Sequence, residues 1–197
     1  MTRFFLAAAS GVALIASASA QDALTDAPAG AYAIDPYHGY IAFSYEHQGY
    51  SNPILRFTKF DSEITLDPEN IAGSSVTTTM KVEDIDSGVD VFDGHLKSGD
   101  WFDAEKFPTI SFESTGIDIT GENTADIAGD LTVKGVTKPV VLAATFNKLG
   151  ETRDGTPKLG FSATTKIMRS EFGLGNYVPY VGDEVTITIE TEYEQKK

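Results

Sequence analysis

The chain has 197 residues, no cysteine and a formal charge of −14 at neutral pH. Its length is that of one domain with a sizeable core, and the lack of cysteine excludes disulfides, thiolate metal sites and a thiol nucleophile. A surface this acidic is repelled by phosphate backbones and anionic headgroups, which argues against nucleic acid and against tight adsorption to membranes. Solubility alone explains the acidity equally well.

The first twenty residues have the order of a secretory signal peptide. A positive charge at Arg3 precedes a run of small and branched apolar residues, and Ala18-Ser19-Ala20 forms an A-x-A cleavage site before Gln21. A transmembrane anchor needs about 20 strongly apolar residues, whereas this run is short and rich in Ala and Ser. We therefore expect export with cleavage after Ala20. Loss of Arg3 would take the formal charge from −14 to −15.

A strand pattern follows a short lead-in. Residues 21–31 are small and polar and are interrupted by Pro28 and Gly30, which predicts a flexible segment. From Tyr32 onward apolar and polar residues alternate, as in strands with one buried face. Turn sequences such as Asp67-Pro68-Glu69-Asn70 separate about eight such segments. Their inward-facing rows begin with Ile41, Phe43 and Tyr45 and continue in residues 60–66, 76–82, 110–119, 127–133, 140–146, 159–167 and 185–189.

Residues 95–114, "HLKSGDWFDAEKFPTISFES", interrupt this pattern with a histidine, several acids and the only tryptophan. One interpretation is an active-site loop in which His95, Asp100 and Asp103 perform acid–base chemistry. The other is a structural joint, with a short helix or turn that a proline ends before the next strand. In the second interpretation Trp101 is an apolar plug at one end of the domain, and the two aspartates are cap and turn residues.

The strand pattern predicts an all-β domain of about eight antiparallel strands, closed as a barrel or stacked as a sandwich. A closed barrel of this size can hold one elongated ligand, whereas a sandwich fills its core with its own side chains. The inward rows mix large aromatic residues with small ones such as Gly129, Ala144 and Thr165. The small residues favour a cavity, although a filled core also alternates large with small.

No catalytic or metal-binding motif accompanies the strands. His38, His47 and His95 lack the spacing of a zinc pair, and no phosphate loop or serine elbow is present. A Ser-His-Asp triad assembles in space, so spacing alone does not decide it. His47 and Arg169 each continue an inward-facing row at a strand end. Each is either a polar anchor for a ligand headgroup or a capped or salt-bridged strand end.

Several motifs in one order make residues from Tyr32 to about Tyr193 resemble the YceI-like family of periplasmic polyisoprenoid-binding proteins. They are Ile34-Asp35 with His38, Phe43 with His47, Phe57 and Phe60, His95-Leu96-Lys97-Ser98, Asp100-Trp101-Phe102-Asp103, Phe107-Pro108, Gly129-Asp130-Leu131-Thr132, Gly135-Val136-Thr137-Lys138-Pro139, Arg169-Ser170, Phe172-Gly173 and Gly182-Asp183-Glu184-Val185. This chain departs from the family pattern at Gly39, where Ser is common, and at Leu55 and Ser62, where Gly is usual. Glycine relieves crowding in a curved strand, so its replacement by Leu55 and Ser62 is expected to affect local bulging of the strand and the width of the tunnel.

The resemblance implies a lipocalin-like antiparallel barrel over residues 32–195, with a short helix and a long apolar tunnel. It implies a periplasmic carrier that holds an isoprenoid or similar lipid, with no catalysis, no metal and no cofactor beyond that cargo. A homodimer is compatible with the sequence, and donor and acceptor proteins stay undefined. An enzyme acting on such a lipid and a structural or stress-response barrel with a filled interior are the alternatives.

The expected ligand-binding residues follow from the inward rows and the family motifs together. The tunnel lining is expected to comprise Phe43, Tyr45, Phe60, Met80, Trp101, Phe102, Phe112, Leu131, Phe146, Phe161, Ile167 and Phe172. Arg169 is the first candidate for contact with a charged headgroup, because guanidinium groups bind phosphate well. His47 is the second.

Overall fold

The computed structural model describes residues 23–197; the expected signal peptide lies outside this range. Within it, one α-helix, α1 (Asp90–Lys97), accompanies ten strands. The strands are β1 (Gly30–His47), β2 (Ile54–Phe57), β3 (Asp61–Leu66), β4 (Ser75–Lys81), β5 (Ile85–Asp86), β6 (Thr109–Ile119), β7 (Thr124–Val133), β8 (Val136–Glu151), β9 (Pro157–Met168) and β10 (Val181–Gln195). Short 3-10 turns occupy Leu24–Asp26, Ile71–Gly73, Val82–Asp84 and Arg169–Phe172.

Eight of the strands form a closed antiparallel barrel. The order around the barrel is β1, β3, β4, β6, β7, β8, β9 and β10, and β10 closes the ring by pairing with β1. This seam runs from Tyr32 opposite Gln195 to His47 opposite Val181. The prediction of an eight-stranded barrel is confirmed, and the sandwich alternative is wrong because the first and last strands pair with each other.

Strand β1 changes partners along its length. Its first residues pair with β3 and its later residues, Ile41 to Ser44, pair with β2, which also pairs with β5. An irregularity between Ile34 and Gly39 separates the two halves. The sequence pattern did not predict β2 and β5, because segments of four and two residues carry too little alternation to be recognised.

The segment around residues 95–114 is a joint between α1 and β6. The helix is centred earlier than expected and buries Leu96, and two turns follow in which Phe102 N donates to Leu96 O at 3.0 Å. Strand β6 begins at Thr109, directly after Pro108. The proline fixes an extended approach and cannot continue a helix, so the strand starts where the sequence predicts.

The core consists of two packed clusters along the barrel axis. One includes Leu96 and Phe172 at the end of the barrel that α1 covers, which we call the helix end. The other includes Ala27, Tyr32 and Leu66 at the opposite end, which we call the N-terminal end. Each end of the barrel is therefore closed by a different part of the chain.

Residues 23–31, which belong to the predicted flexible lead-in, pack against the N-terminal end. Ala27 is 3% exposed, and the Tyr32 hydroxyl donates to Pro28 O at 2.7 Å. Strand β1 already begins at Gly30, and Gln195 donates to Ala29 O at 3.0 Å. The barrel thus includes part of the segment that the sequence assigned to the lead-in, because small apolar residues such as Ala27 fit beneath the strand ends.

Candidate functional site

The barrel encloses two apolar cavities that adjoin along its axis. The cavity at the helix end has a volume of about 400 Å³ and the one at the N-terminal end about 550 Å³. Both lie in the range of roughly 300–1,000 Å³ that is usual for ligand sites. Residues shared by the two linings are Thr78, Phe112, Leu142, Ile189, Thr191 and Tyr193. The two cavities are therefore successive parts of one interior.

Every residue expected to line a tunnel borders one of these cavities. The helix-end cavity is bordered by Phe43, Tyr45, Phe60, Met80, Trp101, Phe102, Phe112, Leu131, Ile167 and Phe172. Phe146 and Phe161 border the N-terminal cavity. The alternation of side chains along a strand explains this placement, because residues two apart face the same side of the sheet. Contact with a ligand remains a prediction for all of them.

Two glycines allow large rings to lie against the barrel wall. A Cβ atom on Gly129 would lie 2.3 Å from the Phe112 ring, and one on Gly39 would lie 2.8 Å from the Phe60 ring. Both distances are well below van der Waals contact, so any larger residue would push the ring away. Gly39 thus accommodates Phe60 beside the helix-end cavity.

The Arg169 side chain is buried at the rim of the helix-end cavity, with 6% of its surface exposed. Its guanidinium donates to Gly182 O at 2.8 Å, to Val181 O at 2.9 Å, to Asn176 O at 3.0 Å and to Leu174 O. Four of the five N–H donors of an arginine are thereby used. Arg169 consequently holds the segment 174–182 in place over the rim.

The charge of Arg169 is not neutralised by an ion pair within residues 23–197. Burial lowers the pKa of Arg169 and the nearby Asp183 carboxylate partly offsets this, yet an arginine stays protonated at neutral pH. Its guanidinium carbon lies 5.7 Å from the centre of the Trp101 ring. A buried cation beside an apolar cavity favours an anionic or strongly dipolar group at this rim.

Sequence similarity to a known protein family covers nearly all of the residues that form this interior. The YceI-like domain matches residues 32–193. The chain belongs to the YceI-like family. The family assignment made from the motifs is therefore confirmed, and it covers the whole barrel apart from its terminal residues.

Relatives and solved structures extend the comparison. The chain is 36% identical to a UPF0312 protein of Azotobacter vinelandii over 185 residues, which is 92% of this chain and 95% of that protein. It is 39% identical to a UPF0312 protein of Vibrio cholerae over 150 residues, 75% of this chain and 79% of the relative. The fold matches BcnA of Burkholderia cenocepacia with a TM-score of 0.74 and 26% identity, over 81% of this chain and 98% of BcnA.

Two further structures share the barrel. The YceI protein of Campylobacter jejuni matches with a TM-score of 0.70 and 28% identity, over 77% of this chain and 90% of that one. A polyisoprenoid binding domain from Saccharophagus degradans, implicated in plant cell wall breakdown, has the same fold with a TM-score of 0.67 and 13% identity, over 86% of this chain and 100% of that domain. Across residues 23–197, no helix of this YceI-like protein combines the length and apolar character that a membrane crossing requires.

Tyr45 and His47 border the same cavity as Arg169, near the end of β1. Burial raises the pKa of the Tyr45 hydroxyl and the Arg169 charge partly offsets the rise, so the phenol is protonated at neutral pH. His47 begins a tight turn in which its N–H donates to Ser51 O at 2.8 Å. The YceI-like barrel thus brings both predicted headgroup residues to one rim and adds a neutral phenol beside them.

His95 and Trp101, in the joint between α1 and β6, are hydrogen-bonded to each other. Trp101 Nε1 donates to His95 Nε2 at 3.1 Å, and the indole stacks on Tyr177 with ring centres 6.2 Å apart. Asp100 is exposed, and its main-chain oxygen accepts from Asn176 at 2.6 Å. These contacts fit the interpretation of the segment as a structural joint with Trp101 as a plug.

Several lining residues of the YceI-like barrel lie outside the strands, and sequence reasoning missed them. Leu174 and Tyr177 border the helix-end cavity, and residues 23–25 border the N-terminal one. Alternation cannot reveal them, because loops and turns have no fixed side-chain period. An isolated apolar residue in a polar segment, Leu24, was the one available signal.

The described part of the chain contains one cluster with three groups close enough to hold a metal, formed by Asp35, His38 and Glu192. The ammonium of Lys158 already lies in this cluster, 2.7 Å from Asp35 Oδ2 and 2.8 Å from Glu192 Oε2. Although burial disfavours the charged form, hydrogen bonds to both carboxylates raise the pKa of Lys158. The cluster is thus an ion-pair network, and a metal would have to displace its lysine.

Asp35 is expected to make folding sensitive to acid. Burial of its carboxyl opposes ionisation, but hydrogen bonds from Lys158 and His38 outweigh it and lower the pKa from 3.8 to about 2. The carboxylate therefore contributes stability above about pH 4, and this contribution of about 2 kcal/mol is lost as the pH falls through about 2. Asp35→Asn should remove it at neutral pH and flatten the stability profile between these limits.

Urea unfolding from neutral pH to about pH 2 measures this effect. The control is Glu184→Gln, which removes an exposed carboxylate from its 2.8 Å pair with Lys166 and should change the profile little. An acid dependence in Asp35→Asn as steep as that of the unsubstituted protein would contradict the prediction.

Proposed function

We propose that this protein is a periplasmic binding and carrier protein for a long-chain isoprenoid, such as a polyprenyl phosphate or prenyl quinone, or for a similar lipid. The observation that carries the proposal is the pair of adjoining apolar cavities inside a closed barrel. Membership of the YceI-like family supports it, as does the barrel shared with a polyisoprenoid binding domain. The signal-peptide pattern of residues 1–20 supports export.

Burial in the apolar interior can supply useful affinity without a charged headgroup when the cost of association lies in the lower part of its range. Burial of on the order of 500 Å² of apolar lipid surface gives about 12 kcal/mol at roughly 25 cal/mol per Å². Association costs about 4–15 kcal/mol, which is comparable with this gain. Whether a given lipid binds therefore depends on how well its shape fits and how much apolar area it buries. A long chain with many buried carbons is therefore the ligand class that the interior fits best.

The headgroup of the lipid would lie at the helix end. Arg169 supplies a buried positive charge there, while Tyr45 supplies a hydroxyl donor and His47 an imidazole ring. Because most donors of Arg169 are used by the main chain, it would attract a phosphate mainly through its charge. A quinone would need only one donor, which the Tyr45 hydroxyl can provide.

Organic extraction of the purified exported protein, followed by mass spectrometry, tests the proposal. We expect one lipid class with a long isoprenoid or acyl chain. The matched control is the same extraction from Thr165→Trp, in which the added ring enters the helix-end cavity. A protein that carries no lipid, and that takes up neither prenyl quinone nor fatty acid in vitro, would exclude the carrier role.

The same lipids, incubated with the protein and analysed again, distinguish a carrier from an enzyme. A carrier returns the lipid chemically unchanged. Turnover that disappears in His47→Ala or His95→Ala would instead support the enzyme alternative.

A further inference from the structure

The two cavities adjoin inside the barrel and share part of their lining. Phe112 on β6 and Tyr193 on β10 border both cavities. Their strands are four positions apart in either direction around the eight-stranded barrel, and the Tyr193 side chain extends from β10 toward Ser62 on β3. Phe112 is 7% exposed and Tyr193 is 5% exposed. Two large buried rings therefore lie where the two cavities adjoin.

Phe112 is held against its wall by the adjoining strand. A Cβ atom on Gly129 would lie 2.3 Å from the ring and 2.7 Å from the main-chain oxygen of Glu113. The Phe112 ring therefore lies directly against Gly129, in space that the Cβ atom of any other residue would occupy. With the backbone directly behind it, the ring has no room to withdraw further from the point where the cavities adjoin.

Tyr193 is fixed through its hydroxyl. Ser62 Oγ donates to Thr77 O at 3.0 Å, and it lies 2.8 Å from both Thr78 Oγ1 and Tyr193 Oη. Either hydroxyl of the Ser62–Tyr193 pair can donate, and when the Ser62 proton goes to Thr77 O, Ser62 accepts from Tyr193. Burial raises the pKa of Tyr193, which keeps its proton available for this bond.

We propose that Phe112 and Tyr193 form a fixed constriction that determines how long a prenyl or acyl tail the barrel accepts. The inference rests on the proposed lipid-binding function and adds the specificity of that site. A tail whose headgroup lies at the helix end fills the helix-end cavity before it reaches the two rings. Further carbons gain burial only by passing between rings that the wall and the Ser62 hydrogen bond hold in place.

A series of prenols of increasing length tests this constriction: geraniol, farnesol, geranylgeraniol and solanesol. Dissociation constants come from the fluorescence of Trp101, the single tryptophan, which borders the helix-end cavity, and native mass spectrometry gives the stoichiometry. In the unsubstituted protein, affinity should rise about tenfold or more per isoprene unit and then stop rising within the series.

Three variants locate the cause of that limit. Phe112→Leu widens the passage, so affinity should continue to rise by at least one further member of the series. Tyr193→Phe keeps the ring but loses the hydrogen bond to Ser62. The tail length at which affinity stops rising should therefore also increase, but by less than in Phe112→Leu. Phe146→Leu makes the same change in the N-terminal cavity away from the constriction and should leave the limit where it is. Thermal unfolding checks that each variant is folded.

The outcomes separate this inference from the proposed function. Affinity that rises without a break to solanesol would overturn the constriction, as would a limit that Phe112→Leu and Tyr193→Phe leave unchanged or that Phe146→Leu shifts equally. Binding of no prenol and no fatty acid would overturn the proposed function and this inference with it. A change of the limiting tail length in Phe112→Leu and Tyr193→Phe but not in Phe146→Leu would support both the lipid-binding function and the constriction.

Discussion

Thr165→Trp is expected to abolish lipid binding while the barrel stays folded. Thr165 lies on β9 with its side chain at the helix-end cavity, where an indole would fill space that a lipid tail needs. We expect lipid affinity to fall by about a hundredfold or more, which corresponds to about 3 kcal/mol. Overfilling a packed core costs about 1–3 kcal/mol, but this ring enters an existing cavity, so the stability change should be at the lower limit. Uptake of a radiolabelled prenol measures binding, and urea unfolding measures stability.

The neighbouring positions on β9 provide matched controls. Thr164 faces outward and is exposed, so Thr164→Trp should bind lipid as the unsubstituted protein does. Ala163 borders the N-terminal cavity, so Ala163→Trp should weaken the binding of long tails more than that of short ones. Unchanged affinity in Thr165→Trp would place the lipid elsewhere. A strong loss of stability in both Thr165→Trp and Ala163→Trp would instead indicate that side chains of the protein already fill the interior.

Arg169→Met is expected to produce the largest loss of stability among single substitutions at the rim. Removing the guanidinium leaves the carbonyl groups of Leu174, Asn176, Val181 and Gly182 without their donor. Buried polar groups that lose a charged partner cost about 1–3 kcal/mol each, although part of this loss is recovered when the segment moves toward water. We expect a total of about 3–5 kcal/mol in urea unfolding.

Hydrogen exchange and two further variants assign the cause of that loss. The amides of residues 173–181 should exchange faster in Arg169→Met while those of the barrel strands change less. Arg169→Lys should recover only part of the stability, because one ammonium cannot reach carbonyls in several directions. Lys166→Met, which removes an exposed cation from β9 just before Arg169, should cost well under 1 kcal/mol. A loss below about 1 kcal/mol in Arg169→Met would contradict the role of Arg169 as the anchor of this segment.

Residues with a strict alternation could be placed from the sequence. The row of Ile41, Phe43 and Tyr45 faces the interior as predicted, since neighbouring side chains on a strand must point to opposite faces. The short strands β2 and β5 could not be found in this way. The packing of residues 23–27 also escaped prediction, because a polar segment becomes ordered only against a surface that the rest of the fold creates.

The chemical role of a polar residue depended on its partners in space. His47 and Arg169 look alike in the sequence, as polar ends of inward rows. In the structure Arg169 binds four main-chain oxygens of a loop, whereas His47 borders the cavity beside Tyr45. The sequence likewise marks Ser62 only as a departure from the family pattern. Its bond to Tyr193, 131 residues away, exists because β3, β4 and β10 meet inside one barrel.

The sequence by itself determined the all-β class, the family and the inward-facing rows, because these follow from local periodicity and from motifs in a fixed order. Only the tertiary structure decided that the barrel closes through β1 and β10, that Phe112 and Tyr193 border both of its cavities, and that Arg169 supports a loop. These features arise from contacts between residues far apart in the chain. Their geometry is set by how strands pair and pack, and no local pattern records it.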